Sequence, residues 1–170
     1  FSEGVATYIS LALDNNNGYP YVAYRDNANG NEATLMKFNG TAWVVVGGAG
    51  FSAGAVEYTS LAFDSLDTPY VAYRDNANDG KATLMKFDNV TGWVVVGGAG
   101  FSDDVATYIS LAFDSSNAPY VAYQDSANGN KATLMKYENT FDSAYEWQFV
   151  AGAGFSEGVA TYISLAFDSS

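Results

Sequence analysis

The sequence predicts an all-β fold, a β-propeller of four-stranded blades with about 50 residues per blade. Two observations support this prediction. One pattern returns along the chain, with equivalent tyrosines at Tyr8, Tyr58, Tyr108 and Tyr162. Within each unit, four short runs rich in Val, Ile, Tyr and Thr are separated by Gly, Asn, Asp and Pro, which is the pattern of strands and turns. No window has the apolar period of an amphipathic helix.

The repeat divides the chain into three full blades and the beginning of a fourth. Blades are expected over 1–50, 51–100 and 101–154, with a partial blade over 155–170 that holds only a first strand. We expect the whole of 1–170 to be one domain. An immunoglobulin-like sandwich does not require near-identical units, and a β-solenoid usually has shorter ones, so the propeller is favoured.

Each strand of the first unit follows from local residue types. The first strand is predicted over 8–14 (YISLALD), and a turn of Asn, Gly and Pro ends it. The second covers 21–26 (YVAYRD) and leads into a polar loop, NANGN. The third covers 33–38 (ATLMKF), and the fourth, over 43–47 (WVVVG), follows an Asn-Gly turn. In the third unit, the connection between the last two strands is longer.

The segment ISLAFDSSNAPYVAYQDSAN of the third unit resembles blades of the NHL type. That resemblance implies the propeller fold and implies no particular ligand. The Trp on each last strand and the repetition of equivalent positions also resemble repeat lectins built as propellers, which implies carbohydrate as a candidate ligand. The residues that carry the NHL resemblance are Ile109, Ala112, Asp114, Tyr120, Val121, Ala122, Asp125 and Asn128.

Composition excludes several classes of function. The net charge of -12 repels nucleic acid backbones and anionic membrane surfaces. The absence of Cys and His excludes Ser-His-Asp and Cys-His nucleophilic sites and ordinary zinc sites. No apolar run is long enough to span a bilayer, so no membrane insertion is expected.

The second strand of every unit ends in a triplet of Tyr, then Arg or Gln, then Asp. A planar guanidinium or amide group beside an aromatic ring and a carboxylate binds polar ligands by hydrogen bonding and stacking. The structural alternative is a core Tyr, a strand-end ion pair and an Asp that closes a turn. The triplets are Tyr24, Arg25 and Asp26; Tyr73, Arg74 and Asp75; and Tyr123, Gln124 and Asp125.

A Trp recurs on the fourth strand, at Trp43, Trp93 and Trp147. An exposed indole offers its face to the C–H side of a sugar, whereas a buried one packs between blades. Both interpretations stay open, and the three Trp residues are predicted ligand contacts together with the triplets.

The sequence predicts no cofactor, with calcium as the alternative. The loop of Asp26 to Asn31 has a calcium-loop composition, but Ala28 stands at the third position, where a ligand is required. Clustered carboxylates and carbonyl oxygens elsewhere would be the other route to calcium.

Repetition of the polar positions favours several equivalent shallow sites over one catalytic centre. We therefore expect a non-enzymatic recognition module, extracellular or at the cell surface, with glycans as candidate ligands. The alternative is a structural or adhesive repeat that binds protein or its own copies. A carboxylate glycosidase is the third hypothesis, because Glu57 replaces the Thr of the other units.

An arc of three blades would leave two apolar faces open, whereas closed propellers have about four to eight blades. Either the chain is part of a longer propeller, or copies associate to close a ring. The segment 155–170 repeats 1–16 at 13 of 16 positions, so it could replace the equivalent strand of a neighbouring copy. A six-bladed dimer formed in this way would have two surplus strands.

Overall fold

A computed structural model describes residues 2–139 and 144–168. In these residues the chain forms three four-stranded antiparallel sheets, and the strands of each sheet follow one another in chain order. Each sheet corresponds to one sequence unit, so the prediction of four-stranded blades is confirmed. Most of the longer third-unit connection, 140–143, lies outside the described residues, as do Phe1, Ser169 and Ser170.

The strand bounds lie within about two residues of the predicted ones. Blade 1 consists of β1 (Ala6–Leu13), β2 (Pro20–Asp26), β3 (Glu32–Phe38) and β4 (Trp43–Val45). Blade 2 consists of β5 (Val56–Phe63), β6 (Pro69–Asp75), β7 (Lys81–Asp88) and β8 (Gly92–Val95). Blade 3 consists of β9 (Ala106–Phe113), β10 (Pro119–Asp125), β11 (Lys131–Asn139) and β12 (Tyr145–Phe149).

The hydrophobic core lies between the blades. Leu35 of blade 1 packs in one cluster with Val56, Leu61 and Val71 of blade 2. A second cluster joins blades 2 and 3 in the same way. Burying each of these side chains contributes about 1.5–3 kcal/mol, so packing between blades stabilises the fold.

Serine side chains join the first strands of successive blades. The amide of Leu61 donates to Ser10 Oγ at 2.9 Å, and the amide of Leu111 donates to Ser60 Oγ at 3.0 Å. These bonds fix the register of one blade against the next.

Each first strand contains a β-bulge at a tyrosine. The register of β1 shifts between Thr7 and Ser10, and that of β5 shifts between Glu57 and Ser60. The tyrosine at this point has a left-handed backbone, with φ of 52° at Tyr58. Neighbouring rings of Tyr8, Tyr58, Tyr108 and Tyr162 lie with their centroids 5.0 to 5.1 Å apart. The bulges thus aim one ring per unit into a ladder of tyrosines.

The segment 155–168 lies on blade 3 at the position that the first strands β5 and β9 take on the blades before them. The amide of Phe155 donates to Ala132 O at 2.9 Å, as that of Phe51 donates to Ala33 O at 2.8 Å. The amide of Leu165 donates to Ser110 Oγ at 2.9 Å. Within the described residues this segment belongs to none of the three sheets.

The helices of the described residues are three short 3-10 turns, over Asn27–Asn29, Asn76–Asn78 and Ser126–Asn128. Among these residues, no helix has the length and apolarity needed to cross a bilayer.

Candidate functional site

Two clefts of similar size lie at the two junctions between blades. The first junction cleft, between blades 1 and 2, has a volume of about 360 Å³, and the second junction cleft, between blades 2 and 3, about 400 Å³. Both volumes fall within the range of small-molecule sites. Equivalent residues line the two clefts: Tyr21 and Tyr70, Lys37 and Lys86, Pro69 and Pro119, and Asn89 and Asn139.

One wall of each cleft is a Tyr-Lys pair on neighbouring strands of the preceding blade. Tyr21 on β2 lies opposite Lys37 on β3, and Lys37 Nζ lies 5.9 Å from the centroid of the Tyr21 ring. Phe63 packs edge-on against Tyr21 at 4.9 Å, which fixes the orientation of its ring. Tyr70 and Lys86 are paired in the same way in the second cleft. The wall therefore carries an aromatic ring and an ammonium group side by side.

The other wall is the turn that joins the first two strands of the following blade. Asp67 Oδ1 accepts a hydrogen bond from the amide of Asn15 across the first junction at 2.7 Å. Asn117 Oδ1 accepts one from the amide of Ser65 across the second junction, also at 2.7 Å. Asp67 and Asn117 have φ of 59° and 66°, a conformation that Asp and Asn tolerate. The mouths of the clefts are thus held in shape before any ligand arrives.

The aspartates that begin these turns are used in the turns themselves. Asp64 Oδ1 accepts from the amides of Leu66 and Thr68 at 2.9 and 2.8 Å. Asp14 Oδ1 accepts from the amide of Asn17 at 2.7 Å. These carboxylates stabilise the cleft wall.

Burial and nearby carboxylates raise the pKa of the two cleft phenols. Burial, then the charge of Asp64 and a hydrogen bond to it, raise the pKa of Tyr70 to about 12. Burial and then the charges of Asp14 and Asp67 raise the pKa of Tyr21. The Tyr70 hydroxyl donates to the Asp64 carboxylate, which holds this side chain in the cleft wall. Each cleft therefore combines an aromatic face, a phenol, an ammonium group and an Asn side chain.

The aspartates of the predicted triplets are buried caps of the 3-10 turns. Asp75 is 1% exposed, and it accepts from the amide of Ala77 at 3.0 Å, from Asn78 Nδ2 at 2.8 Å and from Thr83 Oγ1 at 2.9 Å. Asp26 and Asp125 make the equivalent bonds. These contacts agree with the turn-closing interpretation of the sequence.

The tyrosines of the triplets lie in the core. Tyr73 and Tyr123 are 1% and 0% exposed, and their hydroxyls lie 3.1 and 3.3 Å from the sulfur atoms of Met85 and Met135. Tyr24 occupies the equivalent position in blade 1.

The middle residues of the triplets contact the first strand of their own blade. Arg74 Nη1 donates to Glu57 Oε2 at 2.9 Å. Gln124 Oε1 accepts from Thr107 Oγ1 at 2.7 Å. Arg25 is paired in register with Thr7. Threonine faces the middle position in blades 1 and 3, and Glu57 faces it in blade 2.

Trp93 and Trp147 pack at the blade junctions. Trp93 stacks on Phe51 with centroids 3.7 Å apart, and Trp147 stacks on Phe101 at 3.8 Å. Trp93 Nε1 also donates to Val46 O at 3.1 Å. Trp43 packs against the core cluster on the open face of blade 1.

The structure brings two predicted site residues together in a smaller pocket. Tyr24 and Asp26 line a space of about 140 Å³ on the open face of blade 1, with Glu3 and Met36. A ligand role for the twelve predicted residues stays a prediction.

The sequence interpretation missed the junction clefts. Their walls join residues from different units, such as Tyr21 and Pro69, which no motif connects. The available signal was the Lys that recurs as Lys37, Lys86 and Lys136 opposite a Tyr. Its recurrence in each unit marked a position with a common role.

Within 2–139 and 144–168, no group of three or more acidic side chains is placed to hold a metal ion. The expectations of no cofactor, and of calcium as its alternative, stay predictions.

The three blades and the likeness to solved structures define the class of this chain, an all-β β-propeller protein. A fucose lectin from Kordia zhangzhouensis, solved with methyl-fucoside, is similar with a TM-score of 0.54 and 12% identity, over 85% of this chain and 99% of the lectin chain. A thermostable family-43 glycoside hydrolase is similar with a TM-score of 0.52 and 16% identity, over 84% of this chain. This chain spans about half of that hydrolase, 51%. No protein-family model and no curated protein matches the sequence.

Proposed function

We propose that this chain is a non-enzymatic carbohydrate-recognition module whose junction clefts each bind one sugar unit. The observation that carries the proposal is the occurrence of two clefts lined by equivalent residues at two blade junctions. The likeness to a fucose lectin supports carbohydrate as the ligand class. We place the protein outside the cell or at the cell surface, where such ligands are displayed. The finer likeness to NHL blades stays a prediction.

The chemistry of the clefts suits a ligand with many hydroxyl groups. The rings of Tyr21 and Tyr70 offer apolar faces to the C–H side of a sugar. The ammonium groups of Lys37 and Lys86 donate to sugar hydroxyls, and the side chain of Asn89 both donates and accepts. A small number of fixed polar groups in a partly apolar cleft is the usual basis of specificity for a small ligand.

Equivalent clefts on one chain provide multivalency. Single sugar contacts of this type are weak, and simultaneous occupation of neighbouring clefts raises the overall affinity without new contacts. The repeated design therefore favours a surface that displays many copies of one glycan.

A glycan array followed by calorimetry tests the proposal. We expect binding to a restricted set of glycans with more than one equivalent site per chain. Lys37→Ala should remove one site, Lys86→Ala another, and the double variant both, while Lys81→Ala on the third strand of blade 2, at a position outside the two clefts, is the matched control. No binding across a broad array, or binding unchanged in the double variant, contradicts the proposal.

A structural or adhesive repeat is the second candidate function, supported by the exposed apolar side chains of β1. Its partner would be a protein surface or another copy. This function predicts assembly without any glycan, which light scattering measures directly.

A glycosidase is the third candidate, and the likeness to a glycoside hydrolase leaves it open. Its sequence basis was Glu57, whose carboxylate is paired with Arg74. Hydrolysis of a glycoside panel that is lost in Glu57→Gln would support it, and inactivity of the unmodified chain on that panel would remove it.

A further inference from the structure

Blade 1 has an open apolar face. Leu11 is 63% exposed, whereas the equivalent Leu61 and Leu111 are 6% and 5% exposed in the closed junctions. Ile9 is 61% exposed, and its equivalent Ile109 is 7% exposed. The exposed side chains of β1 are thus of the kind that the other blades bury against a preceding blade.

The face that would cover blade 1 is present at the other end of the arc. Blade 1 covers blade 2 with Ala23, Leu35 and Val46. Blade 3 has the same residue types at these positions, as Ala122, Leu134 and Val150. The amide of Val150 donates to Leu134 O at 2.9 Å, as that of Val46 donates to Leu35 O. One chain therefore carries both halves of a third junction, on opposite faces.

Segment 155–168 begins with a phenylalanine at the position that forms the aromatic stack of the junctions. Phe51 stacks on Trp93, and Phe101 stacks on Trp147. Phe155 stands at the position of Phe51 and Phe101, and it is 58% exposed. If segment 155–168 took the place of the first strand of blade 1 in another copy, Phe155 would lie at the position beside Trp43 of that copy.

The segment 155–168 is equipped to contact a blade on each side. Towards blade 3 it uses the amide of Leu165, bonded to Ser110. At the positions of Tyr8 and Ser10, which contact blade 2, it has Tyr162 and Ser164, and Tyr162 is 85% exposed. Since its sequence nearly repeats that of β1, it is able to pair with β2 in the register of β1.

Phe167, near the end of this segment, makes an aromatic contact with blade 3 that the equivalent residue of β1 is unable to make. Tyr120 packs edge-on against Phe167 at 4.9 Å, as Tyr21 packs against Phe63 and Tyr70 packs against Phe113. The equivalent residue of β1 is Leu13, which has no ring. Segment 155–168 is therefore the better inner strand for the junction between copies.

We propose that a second copy of this chain closes the ring, with segment 155–168 of each copy replacing β1 in the other and pairing with its β2. The product has six blades, three from each chain, and is within the size range of closed propellers. Exchange of an identical strand adds contacts of a kind that each chain already makes within itself. Each copy then releases its own β1.

Each of the two junctions between the copies in the closed ring contains a further cleft built from two chains. One copy supplies Tyr120 and Lys136, and the other supplies Pro20 and Phe38, at the positions that line the first and second clefts. Gly18 stands at the position of Asp67 and Asn117, so this cleft lacks the bond that ties the turns across the other two junctions. Its use as a sugar site rests on the proposed function, whereas the strand exchange does not.

Cysteine pairs test the exchange directly, because the chain has no Cys. Thr7 is paired in register with Arg25, and Thr161 would take its place after exchange. In Arg25→Cys with Thr161→Cys, we expect a disulfide between chains, seen as a cross-linked dimer of 18.1 kDa subunits and assigned to positions 25 and 161 by peptide mapping. The control, Arg25→Cys with Thr7→Cys, should form little disulfide because β1 has been released. A complete 7–25 disulfide within one chain, with no 25–161 link, overturns the proposal.

Native mass spectrometry of the unmodified chain provides the second measurement. We expect a dimer at micromolar concentration, and Phe155→Ala should raise its dissociation constant at least tenfold. Val90→Ala, at a turn residue that is 93% exposed, should leave the dimer unchanged. A monomer at micromolar concentration overturns the strand exchange. Glycan binding by such a monomer would leave the proposed function standing.

Discussion

The carboxylate of Glu57 accepts a hydrogen bond from the guanidinium group of Arg74, with Oε2 and Nη1 2.9 Å apart. The two residues are partners across β5 and β6. In the other units, threonine stands at the position of Glu57. Glu57, the acid that replaces threonine at this position, therefore has an ion-pair partner within its own sheet.

Replacing Glu57 should have a small effect on stability. Both side chains are about one quarter exposed, so we expect Glu57→Gln to lower the free energy of unfolding by about 0.5 kcal/mol. Urea unfolding measures this change, with Glu3→Gln as an exposed control. A loss several times larger would show that the pair is a buried element of the fold.

Removal of a buried cap should have a large effect. Asp75→Ala leaves three donors without their acceptor in a site that is 1% exposed. We expect the free energy of unfolding to fall by about 3 kcal/mol. Asp103→Ala, at an exposed position, should change it by about 0.5 kcal/mol or less. Equal effects of the two substitutions in urea unfolding would contradict the assigned role of Asp75.

Two adjacent glycines should differ in their tolerance of a methyl group. At Gly47 an added Cβ would lie 2.4 Å from Phe87 Cε2, whereas at Gly48 nothing lies within 4 Å. Both have positive φ, 73° at Gly47 and 104° at Gly48, so each Ala variant has backbone strain. Gly47→Ala also displaces the Phe87 ring from the junction, and we expect its melting temperature to be clearly the lower of the two. The same melting temperature for both variants would refute close packing at Gly47.

Stability should fall in acid, partly because of Asp114. Burial alone would raise its pKa, but hydrogen bonds from the amides of Ala118 and Ser116 and the charge of Lys136 outweigh burial and lower the pKa below the ordinary 3.8. The folded chain then keeps the carboxylate ionised at a pH where the unfolded chain binds a proton. The contribution of Asp114 to the free energy of unfolding is complete above its ordinary pKa, and it is lost as the pH falls through its lower pKa in the folded chain.

Urea midpoints measured between about pH 2 and pH 6 test this prediction. In Asp114→Asn, the urea midpoint should fall less steeply below about pH 4 than in the unmodified chain. Lys136→Met should have the same effect to a smaller degree. An unaltered pH profile in Asp114→Asn would mean that this carboxylate has no lowered pKa in the folded state.

The blades could be predicted from the sequence because their determinants are local. The run from Pro20 to Asp26 has the β-branched and aromatic residues of a strand, a Pro at its start and an Asp at its end. The capping role of Asp26 followed from the turn chemistry of Asp. Each of these features lies within a few residues of the element that it determines.

The clefts and the bulges could not be predicted in this way because they depend on contacts between units. Tyr58 has a left-handed backbone that its residue type disfavours. The rings of Tyr8 and Tyr108 pack on either side of it. Lys37 and Pro69 line one cleft although they are distant in sequence. Only the packing of one blade on the next brings such residues together.

The bond from the amide of Leu61 to Ser10 has a consequence for how such chains change in evolution. The first strand of a unit offers its serine side chain to the unit that follows and its leucine amide to the unit that precedes it. Duplication or loss of one whole unit joins an unaltered serine to an unaltered leucine, so the new boundary is compatible at once. Gain or loss of a few residues inside a first strand breaks that compatibility on both sides. Change in blade number by recombination of whole units is therefore structurally conservative, whereas short insertions are confined to the turns.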